Sequence, residues 1–119
     1  MRTPRTWLAG LVFLLAAALC EAADGTITAI LADPAGHDGR AVTLSGTVSQ
    51  LDPRVSRRGN AYYTFKLDDG SARITIYSSG QPSCPAGSRV TVDGEFRHVK
   101  KVSGYTFHDQ VDARRVTCR

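Results

Sequence analysis

Ten residues in the middle and second half of the chain have the types and spacing to hold an anionic polymer. Arg54, Arg57 and Arg58 fall in the polar stretch QLDPRVSRRGN, and Arg97, Lys100 and Lys101 fall in a second one, RHVKKVSG. Between these stretches, AYYTFKL and ARITIY alternate with period two, which sets Tyr62 and Lys66 on the outward side of one strand and Arg73 and Tyr77 on the outward side of the next. Cations neutralise phosphates, and aromatic rings carry stacked bases at about 1 to 3 kcal/mol each; together they are the two components of single-strand binding. Either component alone is ordinary. Basic loops are commonly just solvated, and tyrosine favours exposed strands without any ligand. Their convergence singles the segment out.

Catalytic chemistry finds no comparable pattern. His37, His98 and His108 are far apart and belong to no triad or metal-ligand spacing. His37, in GHDGR, reads as a structural residue packed beneath a turn, and His108-Asp109 lacks identifiable further ligands. Ser45, Ser49 and Ser103 have no nearby base in any motif. The expectation is a non-enzymatic binding module without cofactor or metal. The charge balance is mild: 15 Lys and Arg against 11 Asp and Glu, with Asp52, Asp68 and Asp69 among the cations. Single-stranded nucleic acid is therefore one candidate ligand, and other anionic polymers, oligosaccharides or anionic lipids would suit the same residues. The alternative is a protein-interaction or envelope-stress module, with an envelope protein as partner and no nucleic-acid role.

The elements that must position these residues are short strands. VTLSGTV at 42–48 and VTVDGEF at 90–96 share one layout, which puts Val42, Leu44, Gly46 and Val48 on one face and Val90, Val92, Gly94 and Phe96 on another. A glycine on the buried face of a strand marks a bulge or a sharp bend. ITAILADPAGHDGR opens with Ile27, Ile30 and Leu31 at helical spacing and predicts a short amphipathic helix ending near Pro34 and Gly36. QLDPRVSRRGN, SSGQPSCPAG and RHVKKVSG read as loops, and DDGS as a hairpin turn. A last strand is expected from about Tyr105, with Phe107 and Val111 apolar, towards Val116.

The two ends bound the domain. Arg2 and Arg5 precede an apolar run from Trp7 to Leu19 and a small-residue site ending at Ala22, which predicts a cleaved signal peptide at 1–22 rather than a membrane anchor. One domain, 23–119, remains, expected as a monomer in the periplasm or secreted. Cys84 and Cys118 would be its two cysteines. An oxidising compartment favours their pairing, and neither a CxxC nor a CxxH spacing supports a metal or redox role.

Five strands with regularly spaced turns predict an all-β barrel. The order of helix, DGRAVTLSGTV, YYTFKLDDGSARITIY, GSRVTVDGEF and last strand resembles an OB-fold domain of the small secreted bacterial kind, over nearly all of 23–119. The resemblance implies a five-stranded Greek-key barrel whose ligand lies on the outer face of strands two and three, between the loop joining strands one and two and the loop joining strands four and five. The basic stretches would then flank one groove. It also implies a helix between strands three and four, for which SSGQPSCPAG is too short and too rich in Pro and Gly; the cystine is expected to plug the barrel end instead. The OB-fold haem chaperones attach haem through His-xxx-Tyr, a spacing that His98 and Tyr105 do not have.

Overall fold

The computed structural model describes residues 26–119, so the expected signal segment at 1–22 and the expected start of the domain at 23 lie outside the described residues. Two short helices, α1 (Ile27–Ala32) and α2 (Pro34–His37), precede five strands: β1 (Ala41–Val55), β2 (Ala61–Asp68), β3 (Arg73–Ser79), β4 (Arg89–Val102) and β5 (Tyr105–Cys118). The strands close a barrel in the order β1-β2-β3-β5-β4. All neighbours are antiparallel except β3 and β5, which run parallel over Thr75–Gln110, Ile76–Val111 and Tyr77–Asp112.

Period-two alternation supplies the core. Val42, Leu44 and Val48, Tyr63, Phe65 and Leu67, Ile74 and Ile76, Val90, Val92 and Phe96, and Val111 all turn inward and form one cluster. Ile27 and Ile30 of α1 join it fully buried, as does Cys84. The core thus includes residues of α1 and one half of the cystine. Cys84 and Cys118 are bonded, with Cα atoms 5.7 Å apart, tying the β3–β4 connection to the end of β5.

Helix α1 is capped twice. The Thr26 side chain accepts from the Ala29 N–H, and Asp69, in the β2–β3 turn, accepts from the Ile27 N–H at 3.0 Å. The same carboxylate accepts from the backbone N–H groups of Ser71 and Ala72 and from the Ser71 hydroxyl. Partial burial disfavours its charge, but these four hydrogen bonds outweigh that and hold the Asp69 pKa down to about 2.

Both repeated glycines sit where backbones nearly touch. β1 pairs with β4 from Ala41 to Thr47 and with β2 from Thr47 onward, so it changes partner next to Gly46. A Cβ on Gly46 would collide with the Asp68 carbonyl oxygen and come within 2.9 Å of its carbon; on Gly94, beside the register shift of β4 against β5, it would collide with the Asp112 carbonyl oxygen.

Two expected loops are strands instead. β1 runs on through Asp52–Val55 and pairs with Ala61–Thr64, leaving only Ser56–Asn60 as a turn. β4 continues through Lys100–Val102 and pairs with Tyr105–Phe107 across Ser103-Gly104, both with positive φ. That is a two-residue hairpin turn of the primed type, whose twist matches its strands. Polarity misled the loop assignment: these strands extend past the barrel as two-stranded arms, with no core to impose apolar alternation.

Candidate functional site

The two arms and the outer face of β2 and β3 enclose an open groove of about 1060 Å³. β2 and β3 supply its floor because their outward residues, Tyr62, Thr64, Thr75 and Tyr77, alternate with core residues along a regular hairpin. Tyr62 and Tyr77 are diagonal neighbours, ring centroids 5.5 Å apart and planes inclined by 30°. On one wall the β1–β2 arm brings Arg54 opposite Tyr62 and carries Arg57 and Arg58 at its tip. The tip is shaped by Ser56, whose carbonyl accepts from Gly59 and whose hydroxyl accepts from Asn60, with Gly59 at φ +86°.

The β4–β5 arm forms the other wall. Asp109 has φ +53° and interrupts the alternation of β5, so that Gln110 on the barrel and Phe107 on the arm both face the groove. Lys100 projects inward, its Nζ 4.4 Å from the centroid of the Tyr77 ring and 2.9 Å from Asp112 Oδ1. Asp112 is a hub: Oδ1 also accepts from Gln110 Nε2 at 2.9 Å, and Arg97 lies 3.8 Å from Oδ2.

Of the ten residues singled out in the sequence, Arg54, Arg57, Arg58, Tyr62, Tyr77 and Lys100 line the groove. Lys66 lies beside it and donates to the Thr75 hydroxyl at 2.6 Å. Arg97 faces Asp112, Arg73 pairs with Asp68 at the far end of the hairpin, and Lys101 is exposed on the β4–β5 arm. Arg54 pairs with Asp52 at 2.8 Å, and this hydrogen bond and charge raise the guanidinium pKa. Among the described residues neither Arg57 nor Arg58 makes an ion pair.

Sequence reasoning missed an apolar component. Val55, Val102, Tyr105 and Phe107 are exposed and line the arms' inner sides. The Ser103-Gly104 turn signal between Val102 and Tyr105 would have revealed that arm. The histidines stand apart from the groove. His37 Nδ1 is 2.8 Å from the Asp33 carbonyl oxygen, and His98 Nδ1 is 2.7 Å from Asp109. Among the described residues no group of three or more His, Cys, Asp or Glu is arranged to hold a metal ion.

No protein-family model matches the chain, and no curated protein resembles it significantly. Solved structures do. A Leishmania major Friedlin protein assigned as an aspartyl-tRNA synthetase superposes with TM-score 0.60 at 13% identity, over 80% of this chain and 20% of that one, so the chain spans about a fifth of its length. The OB domain of a Thermoplasma acidophilum protein gives 0.52 at 22% identity over 81% and 86% of the two chains. The small single-stranded DNA-binding protein of Streptomyces coelicolor gives 0.50 at 16% identity over 68% and 93%. At these identities the likeness is one of fold. A closed five-stranded barrel with this strand order, superposing on an OB domain, makes residues 26–119 an OB-fold domain.

Proposed function

We propose that this domain binds single-stranded nucleic acid in the groove between its two arms and does so without catalysis. The observation that carries the reading is the Tyr62–Tyr77 pair on the groove floor with Arg57 and Arg58, which make no ion pair among the described residues, on its rim. Bases stack on the exposed ring surface and on Tyr105 and Phe107 of the opposite arm, while the rim guanidiniums meet phosphates. The single-stranded DNA-binding neighbour from Streptomyces supports this choice of ligand. The leader-like residues 1–22 and the cystine support export to the periplasm or beyond. Fluorescence anisotropy with labelled single strands, a heparin-like glycan and a neutral oligosaccharide, each at two salt concentrations, tests the ligand. Tight, salt-sensitive binding of single strands is expected; binding of the glycan alone would replace nucleic acid with another anionic polymer.

A second reading rests on Val55, Val102, Tyr105 and Phe107, four exposed apolar side chains on one concave surface. They suit a polypeptide segment of an envelope partner, and absence of binding to every polymer in that titration favours it.

A further inference from the structure

Gln110 is the most deeply buried polar side chain of the groove floor, 6% exposed. Its Nε2 donates to Asp112 Oδ1. An ionised carboxylate only accepts, so the amide orientation is settled: the NH₂ faces Asp112 and the carbonyl Oε1 turns away. Among the described residues no side-chain or loop hydrogen bond reaches Oε1, and a buried amide oxygen left without a donor is costly. Lys100 Nζ sits 2.9 Å from the same Asp112 oxygen, which sets the ammonium beside the amide. Lysine has three donors. One goes to Asp112, and the Tyr77 ring faces the ammonium without exhausting the rest. The floor therefore gathers at one Asp112 oxygen a charged donor and an amide whose carbonyl has no side-chain donor among the described residues, and both side chains line the groove.

Building on the nucleic-acid reading of the groove, we infer that Gln110 and Lys100 select keto bases. Gln110 Oε1 accepts the ring N–H, and Lys100 donates to the adjacent carbonyl oxygen. Thymine and uracil carry N3–H beside O4, and guanine carries N1–H beside O6. Adenine has no carbonyl on its edge. In cytosine the amino group and the carbonyl are separated by an unprotonated ring nitrogen.

The test compares three probes by anisotropy: oligo(dT), oligo(dA), and an oligomer of N3-methylthymidine, which keeps the backbone charge, the ring face and both carbonyls but lacks the N–H. Wild-type protein binds oligo(dT) roughly tenfold more tightly than either of the others, the size expected when a buried acceptor loses its donor. Gln110→Leu lowers oligo(dT) affinity to the methylated level and leaves the salt dependence unchanged, with circular dichroism confirming its fold. The wild-type comparison alone decides the matter if that variant does not fold. Equal affinity for oligo(dT) and its methylated form overturns the inference, even where both exceed oligo(dA), because that pattern is stacking. Failure of every single strand to bind removes the nucleic-acid reading itself, an outcome distinct from binding without discrimination.

Discussion

Lys100 Nζ lies over the Tyr77 ring at 4.4 Å from its centroid while Asp112 holds it at 2.9 Å. The ammonium is a fixed part of the floor, attracted by the ring's electron-rich face and anchored from behind. Tyr77 is thus covered by Lys100 and flanked by Tyr62, so the two tyrosines are not equivalent as platforms.

Tyr62→Ala is expected to weaken single-strand binding by about 1 to 3 kcal/mol, the value of one stacked base, with the salt slope unchanged. Tyr77→Phe keeps the ring beneath Lys100 and should bind like wild type. Anisotropy titrations check both; wild-type affinity in Tyr62→Ala would remove stacking from the account.

On the proposed reading the arm tip contributes charge. Replacing Arg57 and Arg58 together with Ala should lower affinity and reduce the slope of log K against log salt by roughly 1 to 2, because fewer counterions are released. Arg73→Ala, at the Asp68 end of the hairpin, should leave both quantities where they are. A slope insensitive to the tip would place the phosphates elsewhere.

Gly46→Val and Gly94→Val each push a side chain into a neighbouring backbone carbonyl. Overpacking of this kind typically costs about 1 to 3 kcal/mol, and backbone is harder to displace than a side chain. Urea midpoints measure the loss; two unchanged midpoints would contradict the close approaches at both corners.

Reduction of the Cys84–Cys118 bond, 34 residues apart in sequence, should cost about 3 to 4 kcal/mol on the chain-entropy model. Denaturant unfolding with and without reductant tests this, alongside a Cys84→Ala, Cys118→Ala double variant that should match the reduced protein.

Acid should weaken the domain through Asp69. Its folded pKa is depressed to about 2, so its stabilising contribution is complete above the unfolded value near pH 4 and is lost as pH falls from about 4 to about 2. The effect is about 1 to 2 kcal/mol after allowance for partial exposure. Asp69→Asn should flatten stability across that pH window, as followed by thermal unfolding, and equal slopes in both proteins would remove Asp69 as the cause.

Much of the barrel was legible in the residues. Ile27 and Ile30, the two Gly-bent strands and the DDGS hairpin each carry a local signal that agrees with the fold, because burial on one face enforces period two or the helical period. The arms were not. Asp52 to Val55 and Lys100 to Val102 are paired with one neighbouring strand but, Lys100 apart, largely exposed, so polarity there says nothing about strand. Tyr62 and Tyr77 were found because they belong to regular strands, whereas Tyr105, on the β4–β5 arm, was not. Gln110, Asp112 and Phe107 were missed because Asp109 flips the alternation, and a single left-handed residue leaves no periodic trace.

The parallel seam between β3 and β5 consists of three register pairs, and its β5 side is Gln110, Val111 and Asp112. Two of these reach the groove network and the third is core. Barrel closure and the groove floor therefore share one stretch of backbone. Local opening that unzips the seam would dismantle the floor at the same moment, so a bound strand acts as a rivet: occupancy should slow amide hydrogen exchange at Ile76 and Val111, deep in the sheet, as well as at the surface it covers.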